Sequence, residues 1–177
     1  MNKQAMLLEQ DKKLFHARDL ALLWDIDNPN TLRTTLKRFV DRGILKRIHK
    51  GFYSTVSIDT LDPLDLGFAY LNTFSYVSLE TILVSEGVIF QEVHFITYIS
   101  SRAKTFEINN TNYKVRQMQP AYLHNTAGIL KVGNHYEASL ERAVADMLYY
   151  NPKYYIDNAL GVDLDSVAKL QKEIGYA

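Results

Sequence analysis

Asn28–Ser54 reads NPNTLRTTLKRFVDRGILKRIHKGFYS, and the fold of the first part of the chain turns on this stretch. Asparagine at 28 can cap a helix N-terminus through its side-chain oxygen, and Pro29 suits the first helical position, where no N–H is needed. Leu32, Leu36, Phe39 and Val40 fall at i, i+4, i+7 and i+8, which makes one apolar stripe of a helix. Thr31, Arg33, Thr34, Thr35, Lys37 and Arg38 take the remaining surface. Gly43 then ends the helix, because a helix C-terminus favours a residue that accepts left-handed backbone angles. Ile44–Ile48 and Phe52–Ser54 are expected as short strands around the turn His49-Lys50-Gly51.

The stretch is strongly basic. Arg33, Lys37, Arg38, Arg42, Lys46, Arg47 and Lys50 give seven positive charges against the single carboxylate of Asp41, in a chain whose formal net charge is zero. Such a local excess is the electrostatic footprint of a surface that meets phosphate. It is also what a solvated helical face looks like, so the order of elements has to decide.

That order emerges working outward. Residues 2–10 are predicted as a first helix with Ala5, Met6 and Leu7 or Leu8 inward, and Leu14-Phe15 as a short strand or a packing segment. Ala17, Leu20, Ala21 and Trp24 give a second helix at i, i+3, i+4, i+7. Helix, helix, tight turn, basic helix and hairpin is the order of a winged helix-turn-helix, in which the third helix enters the major groove and the wing follows the backbone. On this reading Arg33, Thr34, Thr35, Lys37 and Arg38 reach bases and phosphates from the helix, and Lys46, Arg47, His49 and Lys50 contact the backbone from the wing.

At 177 residues the chain has room for one or two domains. Residues 1–57 carry 11 Lys+Arg and 6 Asp+Glu, and residues 58–177 carry 9 and 14. A basic part joined to an acidic part suggests a division of labour, with the boundary near Ser57. The second part, 58–177, begins with a helix opened by Asp62-Pro63 and continues with a helix capped by Ser78 that ends before Gly87. Strands are expected at His94–Ile99, Thr105–Ile108 and Tyr113–Gln117, the last two as a hairpin around Asn109–Asn112, with further strand signals at Gly128–Val132 and His135–Glu137. Ser139 caps a helix that runs to Tyr150, and Asp163 or Asp165 opens a last one. The expected fold class is α+β: an N-terminal winged helix-turn-helix followed by a mixed α+β domain with a small sheet.

Three stretches resemble the AbiEi-type antitoxin and transcriptional-regulator family of bacterial abortive-infection, type IV toxin–antitoxin systems. Gly43-Ile44-Leu45-Lys46-Arg47-Ile48-His49-Lys50-Gly51-Phe52-Tyr53 resembles the family's wing. Tyr76–Leu83 with Glu86-Gly87-Val88-Ile89 is similar to the helix that opens its second domain, and Glu141-Arg142-Ala143-Val144-Ala145-Asp146 to a late Glu-Arg-x3-Asp helix. The resemblance implies a repressor that binds inverted repeats in double-stranded operator DNA and autoregulates a two-gene operon. It also implies a second domain that counters a nucleotidyltransferase toxin without forming a stable complex with it. Two other readings stay open: a one-component regulator whose second domain senses a ligand, and a protein-interaction module.

No enzyme is expected. The chain has no cysteine, which excludes disulfides, thiol catalysis and cysteine-ligated zinc. His16, His49, His94, His124 and His135 form no HExxH pair and no close ligand set, so no metal or cofactor is expected. Gly128-Ile129-Leu130-Lys131-Val132-Gly133 has glycines at phosphate-loop spacing, but Asn134 and His135 stand where Lys and Ser/Thr are required. No apolar run approaches the roughly 20 residues that span a bilayer. The N-terminus lacks the apolar core of a secretion signal, so a cytoplasmic protein is the expectation. Arg142 and Asp146, four apart on a helix, read either as an intrahelical pair worth tenths of a kcal/mol or as a partner-binding surface. Tyr149, Tyr150, Tyr154 and Tyr155 read as packing or as an interface.

Overall fold

Asn28 opens its helix as its chemistry dictates: the side-chain oxygen accepts the N–H groups of Asn30 and Thr31 at 2.9 and 3.2 Å. In the computed structural model, which describes residues 2–176, this helix is α3 of a first unit that ends at Tyr70. The unit contains α1 (Lys3–Leu8), β1 (Leu14–His16), α2 (Ala17–Leu23), α3 (Pro29–Asp41), β2 (Lys46–His49), β3 (Phe52–Ser54) and all but the last residue of α4 (Pro63–Leu71). Its three strands are antiparallel in the order β1-β3-β2. Leu7, Phe15, Leu20, Trp24, Leu36, Phe39, Leu45 and Tyr53 form its core. Trp24 joins the helices, with its ring 4.8 Å from Phe39 and its indole N–H donated to the Lys3 carbonyl.

The second strand starts later than the sequence reading placed it. The N–H groups of Ile44 and Leu45 both donate to the Phe39 carbonyl at 3.0 and 3.2 Å, closing the end of α3 after Gly43 turns at φ +70°. Backbone donors used there cannot serve a ladder, so β2 begins at Lys46.

The boundary lies further along than 57/58. His16 Nε2 is 2.8 Å from the Ala69 carbonyl, and the Tyr70 ring stands edge-on to both Phe52 (5.6 Å) and His49 (5.2 Å). These contacts hold α4 on the first unit, where an Asp-Pro helix start alone could not place it. The move alters the charge argument. Asp59, Asp62 and Asp65 transfer with α4, so residues 1–70 carry 11 Lys+Arg against 9 Asp+Glu and residues 71–177 carry 9 against 11. The excess of positive charge belongs to the surface of Asn28–Ser54, not to a whole domain.

The second unit holds β4 (Ser75–Val77), α5 (Glu80–Ser85), β5 (Phe95–Ser100), β6 (Lys104–Ile108), β7 (Thr111–Gln117), α6 (Pro120–Leu123), β8 (Ile129–Val132), β9 (His135–Ala138), α7 (Leu140–Tyr150) and α8 (Leu164–Ile174). The sheet is larger than expected: six strands in the order β6-β7-β5-β4-β9-β8, with β5–β7 and β4–β9 parallel and the other neighbours antiparallel. The β6–β7 hairpin turns at Asn109 and Asn110, both at positive φ (49° and 61°), the requirement of a two-residue turn matched to strand twist. Strand β4 and helix α6 are additions that the sequence did not signal. All three residues of β4 are buried, so no polar alternation marks it. The chain is mixed α+β with two sheets, and among the described residues no helix is long and apolar enough to cross a membrane.

Candidate functional site

On α3 the apolar stripe turns Leu36 and Phe39 into the core and leaves Arg33, Thr34, Lys37 and Arg38 exposed. Arg33 and Lys37 are four apart, as are Thr34 and Arg38, so the 3.6-residue period puts all four on one flank. Thr34 Oγ donates back to the Asn30 carbonyl at 2.9 Å, which fixes its rotamer and leaves its lone pairs outward. Thr35 does not join them. It is 9% exposed and lies on the inward side with Leu36, so its place in the expected contact set is corrected to a packing position. The assignment failed because Thr35 stands three residues after Leu32, within the stripe's angular width, and polarity was taken to mean exposure.

The hairpin supplies the rest. Lys46, Arg47, His49 and Lys50 are all exposed. The register between β2 and β3 shifts between Arg47 and His49, and Gly51 carries the turn at φ +74°. Such a bulge re-aims the side chains that follow it. Among the described residues, Arg33, Lys37, Arg38, Lys46, Arg47 and Lys50 enter no ion pair with a carboxylate. The structure thus presents six unpaired cations on one helix flank and one hairpin.

The second unit contains a different constellation, built on α7. Ser139 caps this helix by accepting the Arg142 N–H at 3.2 Å. Arg142 and Asp146, one turn apart, are both 0% exposed, and Arg142 Nε donates to Asp146 Oδ1 at 2.9 Å. The rest of the guanidinium holds the carbonyls of Asn125 (2.9 Å), Ala127 (2.7 Å) and Tyr122 (3.4 Å) and the hydroxyls of Tyr76 (3.0 Å) and Tyr176 (3.5 Å). Its five N–H donors are all engaged. Asp146 accepts from Ser78 Oγ at 2.8 Å, Tyr76 OH at 3.1 Å and Tyr176 OH at 2.5 Å.

Burial raises the Asp146 carboxyl above the usual carboxylate range, against the lowering pull of Arg142, Tyr176 and Ser78. Burial works to lower Arg142, yet the Asp146 charge, the Tyr76 and Tyr176 phenols and the bond to Asp146 together outweigh it, and the guanidinium stands above its ordinary value. Asp146 is the anion of this pair. The donors decide: every group facing the carboxylate gives it a proton-bearing atom, which is the shell of an anion. Burial, and then the Asp146 charge, push the Tyr76 and Tyr176 phenols up, so both stay protonated donors.

The pair is therefore no surface. The sequence spacing located it, but neither weighed reading anticipated a fully desolvated pair, and the partner-surface alternative fails on burial alone. Ser78, expected as a helix cap, makes no cap hydrogen bond; Leu79 takes the N-cap position at φ +57° and frees the hydroxyl for Asp146. Tyr76, Ser78 and Tyr176 lie 70, 68 and 30 residues from Asp146, beyond the reach of any local pattern. The tyrosine cluster also divides. Tyr149 stacks on Tyr176 at 4.7 Å, Tyr150 donates to the Gln117 carbonyl, and Tyr155 is 78% exposed.

His16 and His135 are engaged with Ala69 and Glu137 respectively, and among the described residues no group of three or more His, Asp or Glu is placed to hold a metal ion. No protein-family model matches the chain, and no curated protein matches it.

Proposed function

We propose that this chain is a DNA-binding transcriptional repressor whose first unit acts as a winged helix-turn-helix. The succession α1-β1-α2-α3-β2-β3 supports that reading, with α3 as recognition helix and β2–β3 as wing. The observation that carries it is the set of six cations without carboxylate partners on α3 and the hairpin. Arg33 and Arg38 are the base readers, because a guanidinium can take both acceptors of a guanine edge. Lys37, Lys46, Arg47, His49 and Lys50 hold phosphates and set the register. The resemblance of Gly43–Tyr53, Tyr76–Leu83 and Glu141–Asp146 to AbiEi-type antitoxins adds the biological role. The repressor binds inverted repeats ahead of its own operon, and the second unit opposes a nucleotidyltransferase toxin.

Fluorescence anisotropy with DNA from the chain's own promoter tests the binding claim. Lys50→Ala is expected to weaken every sequence alike and to lower the salt slope by about one. Arg38→Ala is expected to cost ~1–3 kcal/mol on the operator and little on random DNA. Binding indifferent to Lys50→Ala and to added salt would refute the assignment.

A further inference from the structure

The second unit is net acidic, yet one groove on it is basic. Strands β6 and β7 and the last turn of α7 border a shallow, open groove of about 550 Å³ lined by Thr105, Lys114, Arg116, Gln117 and Tyr150 among others. Lys114 and Arg116 alternate to the same face of β7, and Thr105 is the cross-strand partner of Lys114 on that face. Two residues along a strand put the two cations about 6.6 Å apart at the backbone. Two carboxylates border the groove: Glu107 on β6, opposite Asn112, and Glu80, which accepts from Thr97, the β5 partner of Lys114.

Both cations are held in place without being neutralised. The Arg116 guanidinium lies over the Tyr150 ring at 5.1 Å, and the Lys114 ammonium over the Phe95 ring at 5.0 Å. Tyr150 is itself fixed by the 2.6 Å bond from its hydroxyl to the Gln117 carbonyl. Both side chains are half-buried, and among the described residues neither has a hydrogen bond or a carboxylate partner. Arg142, in the same unit, is the contrast: its donors are all spent on protein acceptors. An arginine stacked on a ring keeps its fork of donors oriented and available.

We infer that this groove is a binding site for a small phosphorylated ligand, with Arg116 gripping a phosphoryl group through paired N–H donors, Lys114 as the second charge and Thr105 Oγ as a hydroxyl contact. Phosphate suits the set because its tetrahedral oxygens accept the guanidinium fork while the ammonium acts as a point charge. The inference stands apart from the DNA-binding proposal, since no residue of α3 or its hairpin takes part.

Calorimetric titration of the full chain with pyrophosphate, against sodium chloride at matched ionic strength, tests it. Saturable binding is expected in the wild type. Lys114→Gln and Arg116→Gln should each weaken it about tenfold, the loss of one charge-assisted contact, and Arg116→Lys should weaken it less. Far-UV circular dichroism of these variants should match wild type and the melting temperature should fall only slightly, since each loses one ring contact and no hydrogen bond or ion pair. Arg33→Ala with Lys50→Ala should leave pyrophosphate binding intact, so failure of the DNA proposal would not be mistaken for failure here. Three outcomes overturn the site: no binding beyond that of chloride, binding unchanged in the Lys114→Gln/Arg116→Gln double variant, or a double variant that loses DNA affinity while keeping pyrophosphate.

Discussion

Asp146→Ala probes the buried network most directly. Deleting the carboxylate strands the Arg142 guanidinium, 0% exposed, and removes the acceptor of Ser78 and Tyr176. The same i,i+4 pair on a helix surface is worth only ~0.3–0.5 kcal/mol, because water serves each charge about as well as its partner does. Here water is absent, and breaking a buried pair from one side costs about 3–5 kcal/mol. With a urea dependence of about 2 kcal/mol per molar, the midpoint should fall by roughly 2 M. Equilibrium unfolding followed by far-UV circular dichroism measures it. Arg142→Met then completes a double-mutant cycle, and neighbours in one network should couple by about 1–3 kcal/mol. The double variant is not expected to regain wild-type stability, since the carbonyls of Asn125 and Ala127 lose their donors. A midpoint within experimental error of wild type, or a coupling near zero, would show that the pair is solvated and that this account of the second unit is wrong.

Three further perturbations separate packing from contact. Thr35→Val should leave operator affinity unchanged while Arg38→Ala lowers it, because Thr35 faces the core; an affinity loss in Thr35→Val, read by anisotropy, would return that residue to the interface. Gly128→Ala should lower the melting temperature, with a cost of about 1–2 kcal/mol or more: Gly128 sits at φ +70°, and an added Cβ would stand 2.8 Å from Arg142 Cβ. A melting temperature equal to wild type would contradict that contact. Asp19 provides the pH dependence. Its burial works to raise the carboxyl, but Lys12 at 2.8 Å and the His16 N–H outweigh this and leave it below the ordinary value of 3.8. A depressed carboxylate contributes stability above its unfolded pKa and loses it as pH falls through the folded one. The stability gap between wild type and Asp19→Asn should therefore be full at neutral pH and close below about pH 4; a gap that persists at pH 2 refutes the linkage.

What could be read from the sequence was what short-range chemistry fixes. The Asn28 cap, Pro29, the Leu32–Phe39 stripe and the Gly43 stop each act within a few residues, and α3 follows them closely. The β6–β7 hairpin was legible for the same reason, through the run Asn109–Asn112, although only Asn109 and Asn110 turn and Thr111 and Asn112 already belong to β7. Strand β4 was not: three buried residues between two helices carry no periodicity, and only pairing with β5 and β9 makes them a strand. The end of the first unit was illegible too, because α4 is placed by His16, His49 and Phe52, which precede the residues they touch by 53, 21 and 18 positions. Of the expected contact residues, the cations' exposure was legible because long charged side chains seldom point inward without a partner. Thr35 was not, since a threonine is small and neutral enough to lie on either side.

Spacing alone could not have told the two charged helices apart. Lys37 and Asp41 stand four apart on α3, as Arg142 and Asp146 do on α7. The first two are exposed and, among the described residues, make no ion pair; the second two are sealed at 2.9 Å. Desolvation makes the difference. In water an ion pair gains little and costs side-chain entropy, so Lys37 stays unbound and available to a phosphate. Out of water an unpaired charge is prohibitive, so Arg142 takes every acceptor within reach and draws Asn125, Ala127, Tyr76 and Tyr176 into one knot. Substitutions on the α3 flank should therefore move binding with little change in stability, and substitutions in the α7 knot the reverse. Lys114 and Arg116 fall between these cases, half-buried and stacked on rings yet in no ion pair among the described residues, which is why the ligand titration bears on them more than an unfolding curve does.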